Sequence, residues 1–250
     1  MNKNDLIKQL NNDTFQEKLL ELDRNPNTFS IYMERDTHAL IKNMLSDRDH
    51  QEIKIGSYIC DVGLECDNKI ELFEVQTISY APLRQKLKDL CVNYDVTLVT
   101  PLFNHKTLYW LKDNELSKGH TSPIHENIWS YFKRLYQIRM IINDNTLNRH
   151  LHFLLLNFDG MVIKKELKRT YKRRGEKIVT EPTKLNSVIY LDSIQDYKNY
   201  LPDSDIITSL SLSQEGHVSR SEAQKALLML WEAGVVERIN DKAPYEYTLI

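Results

Sequence analysis

The stretch Ser57–Gln76, SYICDVGLECDNKIELFEVQ, predicts the β-hairpin around which the rest of the chain is organised. An apolar run at Ile53–Asp61 precedes a short polar turn at Cys66–Lys69, and a second run follows at Ile70–Gln76. Both runs are rich in residues that suit strands. We therefore expect the two runs to pair, with Asp61 near the end of the first.

Strand alternation divides the second run between two faces. Side chains repeat every two residues, so Glu74 and Gln76 share one face, while Phe73 and Val75 share the other. In a hairpin, Asp61 would lie beside Glu74. Two neighbouring carboxylates repel each other unless a cation lies between them, and such oxygen ligands suit Mg²⁺ or Mn²⁺. The alternative is a half-exposed hairpin whose outward face happens to be acidic.

Asp61, twelve further residues and then Glu74-Val75-Gln76 resemble the D…ExK core of the PD-(D/E)xK nuclease superfamily, with Gln76 in the Lys position. The segment Glu34–Lys42 resembles the first helix of that superfamily, which supplies a further acidic residue. The run from Glu34 to about Pro101 is similar to a bacterial group that joins such a core to a C-terminal helix-turn-helix. The resemblance implies a catalytic set of Glu34, Asp61, Glu74 and Gln76, with Mg²⁺ or Mn²⁺ held by Asp61, Glu74 and Glu34.

The chain departs from the superfamily pattern at two positions. Cys60 stands where a Pro usually precedes the Asp, and Gln76 replaces Lys. Some restriction enzymes of the superfamily carry Gln there and cut DNA. Lys86, in the helix expected after the second strand, is a candidate phosphate contact or a partial replacement for the missing charge. A plain solvated face is the alternative for its helix.

The helix that carries Glu34 is predicted from Met33 to about Leu45. Glu34 near its start is interpreted as metal-proximal, and a charge interaction with the helix N-terminus is the alternative. His38 lies one turn later on the same face, so its side chain could face Asp61. We interpret His38 as a packing or hydrogen-bonding residue.

Composition limits the class of protein. The chain has 250 residues with 27% charged and 41% hydrophobic side chains, which indicates a soluble globular protein of one large or two small domains. Its net charge of -2 means that any nucleic-acid-binding surface must be local. The three cysteines, Cys60, Cys66 and Cys91, lack metal-type spacing and predict a reduced, cytoplasmic protein. No apolar run approaches the ~18 residues of a membrane span, so we expect no membrane association.

The remaining core segments predict alternating helices and strands. We expect the following elements: a helical cover at 1–29, a helix that begins near Pro82, strands at Val96–Thr100 and Thr107–Leu111, a helix at Glu126–Met140, and a strand at Leu151–Phe158. The order strand, helix, strand favours a parallel crossover in a mixed sheet. His150 and His152 would share a strand face that a metal could use, but no third ligand is evident and we interpret both as structural.

Met161–Thr180, MVIKKELKRTYKRRGEKIVT, is the strongest charge feature of the chain. Eight basic and two acidic residues give +6 within these positions, and Arg173-Arg174-Gly175 could form the tip of a basic hairpin. Such a concentration predicts an arm that contacts phosphates without reading bases, and a solvated linker is the alternative. The predicted nucleic-acid contacts of the core and arm are Lys86, Lys168, Arg169, Lys172, Arg173 and Arg174.

The C-terminal unit resembles a winged helix. A helix at Asp205–Leu212, a capping box at Ser219–Glu222, a helix that ends at Gly234 and a terminal hairpin predict this order. The second helix is expected to turn these residues inward: Ala226, Leu227, Leu230 and Trp231. In a DNA-binding winged helix the groove-facing residues would include Arg220, Ser221, Gln224 and Lys225. Protein binding or simple packing are the alternatives.

Together these patterns predict an α/β protein with a mixed-sheet, restriction-endonuclease-like core and a C-terminal winged-helix domain. The predicted units are a helical cover at 1–29, a PD-(D/E)xK nuclease-like core at 30–112, a helical and basic connecting region at 113–199, and a winged helix at 200–250. The predicted function is metal-dependent endonuclease cleavage of DNA, in defence or mobile-element biology, with a homodimer supplying two sites where both strands are cut. A non-catalytic DNA-binding protein with a degenerate nuclease fold is the alternative. A protein–protein adaptor is a third hypothesis, and it predicts no salt-sensitive DNA binding.

Overall fold

The computed structural model describes residues 3–11, 33–66, 69–112, 115–166 and 175–250, and it is a mixed α/β structure built on a large mixed sheet. Its helices are α1 Lys3–Asn11, α2 Met33–Leu45, α3 Arg84–Leu90, α4 Phe132–Leu135, α5 Arg139–Ile142, α6 Ser209–Glu215 and α7 Arg220–Glu232. Its strands are β1 Gln51–Ile55, β2 Tyr58–Cys66, β3 Lys69–Val75, β4 Asp95–Lys112, β5 Glu115–Leu116, β6 His120–Thr121, β7 Leu151–Glu166, β8 Gly175–Leu191, β9 Ile207–Thr208, β10 Val236–Arg238 and β11 Glu246–Leu249. No helix within the described ranges is both long and apolar enough to cross a membrane.

The main sheet has the order β1-β2-β3-β4-β7-β8, and the short strands β5 and β6 pair with β4. The β3–β4 and β4–β7 pairs are parallel, and the other pairs are antiparallel. The helix α3 connects β3 to β4, so the predicted parallel crossover is confirmed. β3 is buried from Glu71 to Val75 and β4 from Val96 to Phe103, as expected where parallel strands are covered on both faces.

The predicted hairpin forms between β2 and β3, with Val62 opposite Phe73. The prediction of one strand over Ile53–Asp61 was wrong, because Gly56 adopts a positive φ of 58° in a turn that separates β1 from β2. Glycine carries no Cβ and tolerates this conformation, so the chain reverses there and adds an edge strand. The sheet therefore begins one strand earlier than the sequence pattern indicated.

Two core layers cover the faces of the sheet. The layer beneath α1 and α2 contains Phe73 and Val75, which confirms that these two side chains share a face. The opposite layer contains Leu72 together with apolar residues of α3, α4 and α5 and of the C-terminal helices α6 and α7. The C-terminal unit therefore shares a continuous apolar core with the main sheet.

The sheet extends well beyond residue 112. The predicted strands at Val96–Thr100 and Thr107–Leu111 are one strand, β4, with a register shift between Phe103 and His105. The polar residues between the predicted strands are partly or fully exposed, and β4 stays paired with β7 across this region. Since β7 and β8 come from the segment 113–199, that segment completes the sheet in addition to providing a helical connection.

The predicted helix at Glu126–Met140 is broken into short pieces. The side-chain Oδ1 of Asn127 accepts hydrogen bonds from the backbone N–H groups of Trp129 and Ser130, at 2.9 and 3.1 Å. Such local bonds compete with the helical pattern. The chain is regular only from Phe132, through α4, a 3₁₀ turn and α5.

The C-terminal unit contains α6, α7 and a three-stranded sheet of order β10-β11-β9. The capping box at Ser219 and Glu222 and the left-handed Gly234, with φ 68°, are as predicted. The first helix begins at Ser209 instead of Asp205, because Thr208 supplies its capping box and Ile207 pairs with β11. Trp231 was wrongly expected to point inward: it is 39% exposed, and the Arg238 guanidinium lies 3.9 Å from the centroid of one of its rings.

Candidate functional site

Asp61 lies on β2 where the regular alternation of side chains changes. Cys60 packs in the layer with α3, whereas Val62, two residues later, packs in the layer with α2. Between them, Asp61 Oδ2 accepts a hydrogen bond from the backbone N–H of Val75 at 2.8 Å. The Asp61 side chain is thus fixed against the end of β3, the strand that carries Glu74.

His38 of α2 is the second partner of Asp61. Its Nε2 lies 3.1 Å from Asp61 Oδ2, a distance that fits a hydrogen bond from the ring nitrogen to the carboxylate. Burial alone would raise the pKa of Asp61, but the hydrogen bond and charge of His38, together with the Val75 amide, hold it below its ordinary value. Asp61 is therefore ionised at neutral pH, and His38 takes the hydrogen-bonding role that the sequence indicated.

Glu74 is the most enclosed acidic side chain of the site, with 2% of the residue exposed. Its Oε1 forms an ion pair with Lys86 Nζ, and the same ammonium donates to the backbone carbonyl of Ile59 at 2.5 Å. Burial raises the pKa of Glu74, the Lys86 ammonium opposes that rise, and the neighbouring Asp61 charge adds to it. Glu74 and Asp61 are thus close enough for their charges to interact.

Lys86 lies in α3 with only 14% of its side chain exposed. The sequence predicted that Lys86 contacts nucleic acid or partly replaces the charge missing at Gln76. In the structure its ammonium points to Glu74 and to the backbone of β2. It brings a positive charge beside the acidic pair, and its role toward DNA stays a prediction.

Gln76 directly follows β3. Its backbone N–H donates to the carbonyl of Val99 at 2.9 Å, which continues the parallel ladder with β4, and the residue is half-buried. Cys60, the residue before Asp61, is fully buried, and burial raises the pKa of its thiol to about 12, so the thiol is neutral at physiological pH. Cys60 is a packing residue of the core layer beneath α3.

The donor set fits a hard divalent cation in its chemistry. Asp61 and Glu74 provide two interacting carboxylates, and Glu74 Oε1 is a buried oxygen in close contact with the Lys86 ammonium. Mg²⁺ is usually bound through one or two carboxylates together with several waters. Within the described parts of the chain no group of three or more His, Cys, Asp or Glu side chains converges as a metal site. Glu34 lies in the first turn of α2, and its side chain is outside the described residues.

The predicted nucleic-acid contacts lie in two other regions. The strands β7 and β8 lie on either side of residues 167–174 in the chain, and they pair with Glu166 opposite Gly175. Lys168, Arg169, Lys172, Arg173 and Arg174 lie outside the described residues. At the start of α7, Arg220 and Gln224 are exposed and Lys225 is half-buried, so these side chains are accessible from solvent.

His150 and His152 do not share a strand face as predicted, because His150 ends a 3₁₀ turn and only His152 lies in β7; both belong to a separate polar cluster. His150 Nδ1 lies 2.7 Å from Asp95 Oδ1, and His152 Nδ1 lies 2.7 Å from the backbone carbonyl of Asp192. These contacts agree with the structural interpretation of both histidines.

The sequence did not group Lys106 with Lys164, which lies in the segment Met161–Thr180 that was predicted to contact phosphates. The two lysines come from β4 and β7, and both line one cavity next to the segment that follows Gln76. Since they are far apart in the chain, no local motif could have grouped them.

Comparisons with known proteins give one match. Neither the curated proteins nor the solved structures contain a significant match to the chain. A family model described as a domain of unknown function, DUF8091, matches residues 35–192, from α2 to the end of β8. This match spans more than half of the chain and includes Asp61, Glu74 and Lys86, so the protein belongs to the DUF8091 family.

Proposed function

We propose that the protein is a metal-dependent DNA endonuclease whose site is formed by Asp61, Glu74 and Lys86 at the β2–β3 hairpin. One observation carries the proposal: a deeply buried Glu74 interacts with a neighbouring ionised Asp61 and is matched by a lysine ammonium. Burying charges is costly, and groups of buried charges that perturb one another are frequent at functional sites. Asp61 on β2 and Glu74 on β3 follow the helix α2 that carries Glu34, and this order agrees with the resemblance to PD-(D/E)xK nucleases.

Each side chain then has a distinct role. Asp61 and Glu74 would hold Mg²⁺ or Mn²⁺, with Glu34 as a direct or water-mediated third ligand. When bound, the metal would neutralise charge on the scissile phosphate and lower the pKa of the attacking water. Gln76 would orient that water or a phosphate oxygen through its amide. Lys86 would supply, from α3, the positive charge that the ExQ variant lacks at position 76.

The C-terminal unit supports a DNA-binding role in the same proposal. Its order of α6, α7 and a terminal hairpin, with β9 completing a small sheet, agrees with a winged helix. Arg220 and Gln224 are exposed at the start of α7, where a recognition helix would meet the major groove. Because this unit shares a core with the main sheet, the two would bind one duplex in a fixed relation.

Plasmid cleavage tests the proposal. Purified protein with Mg²⁺ or Mn²⁺ should convert supercoiled plasmid to nicked or linear DNA, and Asp61→Asn and Glu74→Gln should each abolish this conversion. Glu65→Gln is the matched control, since Glu65 is an exposed carboxylate farther along β2. Cleavage that survives both site substitutions would refute the assignment.

The alternative, a non-catalytic DNA-binding protein, is favoured by a different observation. The two carboxylates already have partners within the chain, and these partners come from different helices: His38 from α2 and Lys86 from α3. In this alternative the pairs are purely structural and the winged helix and basic arm bind DNA. Salt-sensitive DNA binding without cleavage in either metal would favour it over the nuclease.

A further inference from the structure

A cavity of about 230 Å³ adjoins the candidate site on the side of α2. Thr37, the residue before His38, lines it, and so do Thr77 and Ile78, which directly follow Gln76. The helix and the strand end that carry the candidate site therefore also form walls of this cavity.

The irregularity of β4 determines which side chains enter the cavity. Phe103 lines it before the register shift, and Lys106 and Leu108 line it after the shift. In a regular strand, residues 103 and 106 would point to opposite faces. The shift changes the alternation, so an aromatic ring and a lysine from one strand face the same space.

The cavity combines apolar walls with net positive charge. Its charged lining residues are Lys106, Lys164 and Glu126. Glu126 is held by several groups: its Oε2 accepts from the Phe103 N–H at 2.9 Å, and its Oε1 lies 3.6 Å from Arg134 and 3.9 Å from Lys106. Two lysines and one glutamate give the lining a net charge of +1, and Arg134 also lies beside Glu126, so the lining favours a ligand that is anionic at one end and flat and apolar at the other.

The cavity lies between the candidate site and the paired strands β7 and β8. Lys164 of β7 and Thr180 of β8 lie on its wall, and these strands lead into the basic segment. Thr37 Oγ1 donates to the Thr180 carbonyl at 3.0 Å, so α2 and the hairpin are joined at this point.

We propose that this cavity receives one unpaired nucleotide of the DNA substrate, with its base against Phe103 and its phosphate near Lys106 and Lys164. The volume is below the ~300 Å³ at which pockets for drug-sized ligands begin, which suits a single nucleotide unit and excludes a duplex. Enzymes that act on nucleic acids accommodate extruded bases in such pockets, where aromatic or apolar side chains stack on the base. The inference rests on the proposed nuclease function and specifies its substrate: DNA with unpaired nucleotides is preferred over perfect duplex.

Calorimetric titration of the full chain with deoxyadenosine monophosphate, in EDTA, tests the cavity separately from catalysis. One saturable site is expected, and Lys106→Gln and Lys164→Gln should each weaken binding by about tenfold, because each removes a charged contact. Lys184→Gln is the matched control, since Lys184 is exposed on β8 away from the cavity. Inorganic phosphate should bind more weakly than the nucleotide by at least about tenfold, because it gains no base stacking.

A second probe detects binding when the free nucleotide binds too weakly for calorimetry. A single-stranded oligonucleotide that carries 2-aminopurine should lose fluorescence on binding wild type, and Lys164→Gln should reduce this change. Equal affinity for phosphate and nucleotide, insensitivity to both lysine substitutions, or no response from either probe would overturn the inference.

The two proposals fail separately. Glu74→Gln should abolish cleavage while nucleotide affinity stays unchanged. A protein that binds the nucleotide but never cuts DNA would remove the nuclease function alone, and one that cuts DNA without binding the nucleotide would remove the pocket alone.

Discussion

Two buried glutamates of the same strand, Glu71 and Glu74, have different partners. Glu71 is 4% exposed and accepts a hydrogen bond from the Thr97 hydroxyl at 2.7 Å. Glu74 is 2% exposed, forms an ion pair with Lys86 and interacts with the charge of Asp61. Near each glutamate lies an Asp–His pair, Asp95–His150 beside Glu71 and Asp61–His38 beside Glu74.

The difference lies in the neighbouring charges. An Asp–His pair occurs at both ends of β3, so it does not by itself mark a functional site. At the Glu74 end, the pKa of Glu74 is raised, the pKa of Asp61 is lowered, and the Lys86 ammonium lies beside Glu74. Neighbouring groups whose environments shift their pKa values in opposite directions are typical of sites that bind metals or move protons. The comparison leads us to expect function at the Glu74 end and structural support at the Glu71 end.

Mn²⁺ affinity should show the largest difference between the Glu74 end and the Glu71 end of β3. Loss of an outer contact of a metal ligand typically weakens affinity by about 10–100-fold, so loss of a direct carboxylate ligand in Asp61→Asn or Glu74→Gln should cost more than about a hundredfold. Titration with Mn²⁺, followed by electron paramagnetic resonance, measures this. Glu71→Gln is the control and should leave Mn²⁺ affinity unchanged; an equal loss in Glu71→Gln would remove the distinction between the two ends.

Folding stability should also differ. Lys86→Met leaves Glu74 buried without its cation, and breaking a buried pair from one side should lower the free energy of unfolding by about 3 kcal/mol at pH 7. Thr97→Val removes only a neutral donor from Glu71 and should cost about 1–2 kcal/mol. Urea denaturation compares the two variants, and a smaller loss for Lys86→Met than for Thr97→Val would contradict the importance of the ion pair.

The two histidines should differ in their effect on activity. His38→Ala removes a partner that orients Asp61 and lowers its pKa, so the cleavage rate should fall by about tenfold, and the acidic limit of the pH–rate profile should move upward. His150→Ala should leave rate and profile unchanged. Equal effects of the two substitutions would indicate a general structural disturbance.

The pH dependence of stability provides a smaller effect. The pKa of Asp61 is lowered in the folded protein, so its contribution is present above the unfolded value and is lost as the pH falls through the folded value. The pKa of Glu74 is raised, so its contribution is present below the unfolded value and is lost as the pH rises through the folded value. Asp61→Asn should therefore flatten the stability decline below about pH 4, and Glu74→Gln the decline above it, as followed by thermal unfolding. Unchanged slopes in both variants would contradict the pKa directions.

Local patterns were sufficient for elements that follow a single periodicity. The bounds of α2, the hairpin of β2 with β3 and the cap of α7 were predicted because apolar spacing and capping residues act within one turn or one strand pair. The sequence did not predict that the two predicted strands of this region form the single strand β4. Pairing with β7 maintains β4 through Asn104–Lys106 in spite of the polarity of these residues. Tertiary pairing there outweighs local propensity.

The candidate site was predictable only in part. Spacing and resemblance brought Asp61 and Glu74 together and assigned a charge role to Lys86, but its ion pair with Glu74 depends on how α3 packs on the sheet. The cavity was beyond sequence reasoning, because the register shift in β4 decides that Phe103 and Lys106 face one space. Such groupings arise from three-dimensional packing and have no local sequence pattern.

The central claim is that the Glu74 end of β3 is a metal-dependent nuclease centre and the Glu71 end is not. The most direct measurement is the rate of supercoiled plasmid nicking in Mn²⁺ by wild type, Glu74→Gln and Glu71→Gln. We expect nicking by wild type and Glu71→Gln at similar rates, and a loss of more than about a hundredfold in Glu74→Gln, since several kcal/mol of transition-state stabilisation depend on the metal. Wild-type nicking that persists in Glu74→Gln, or DNA binding by wild type without any nicking, would contradict the claim.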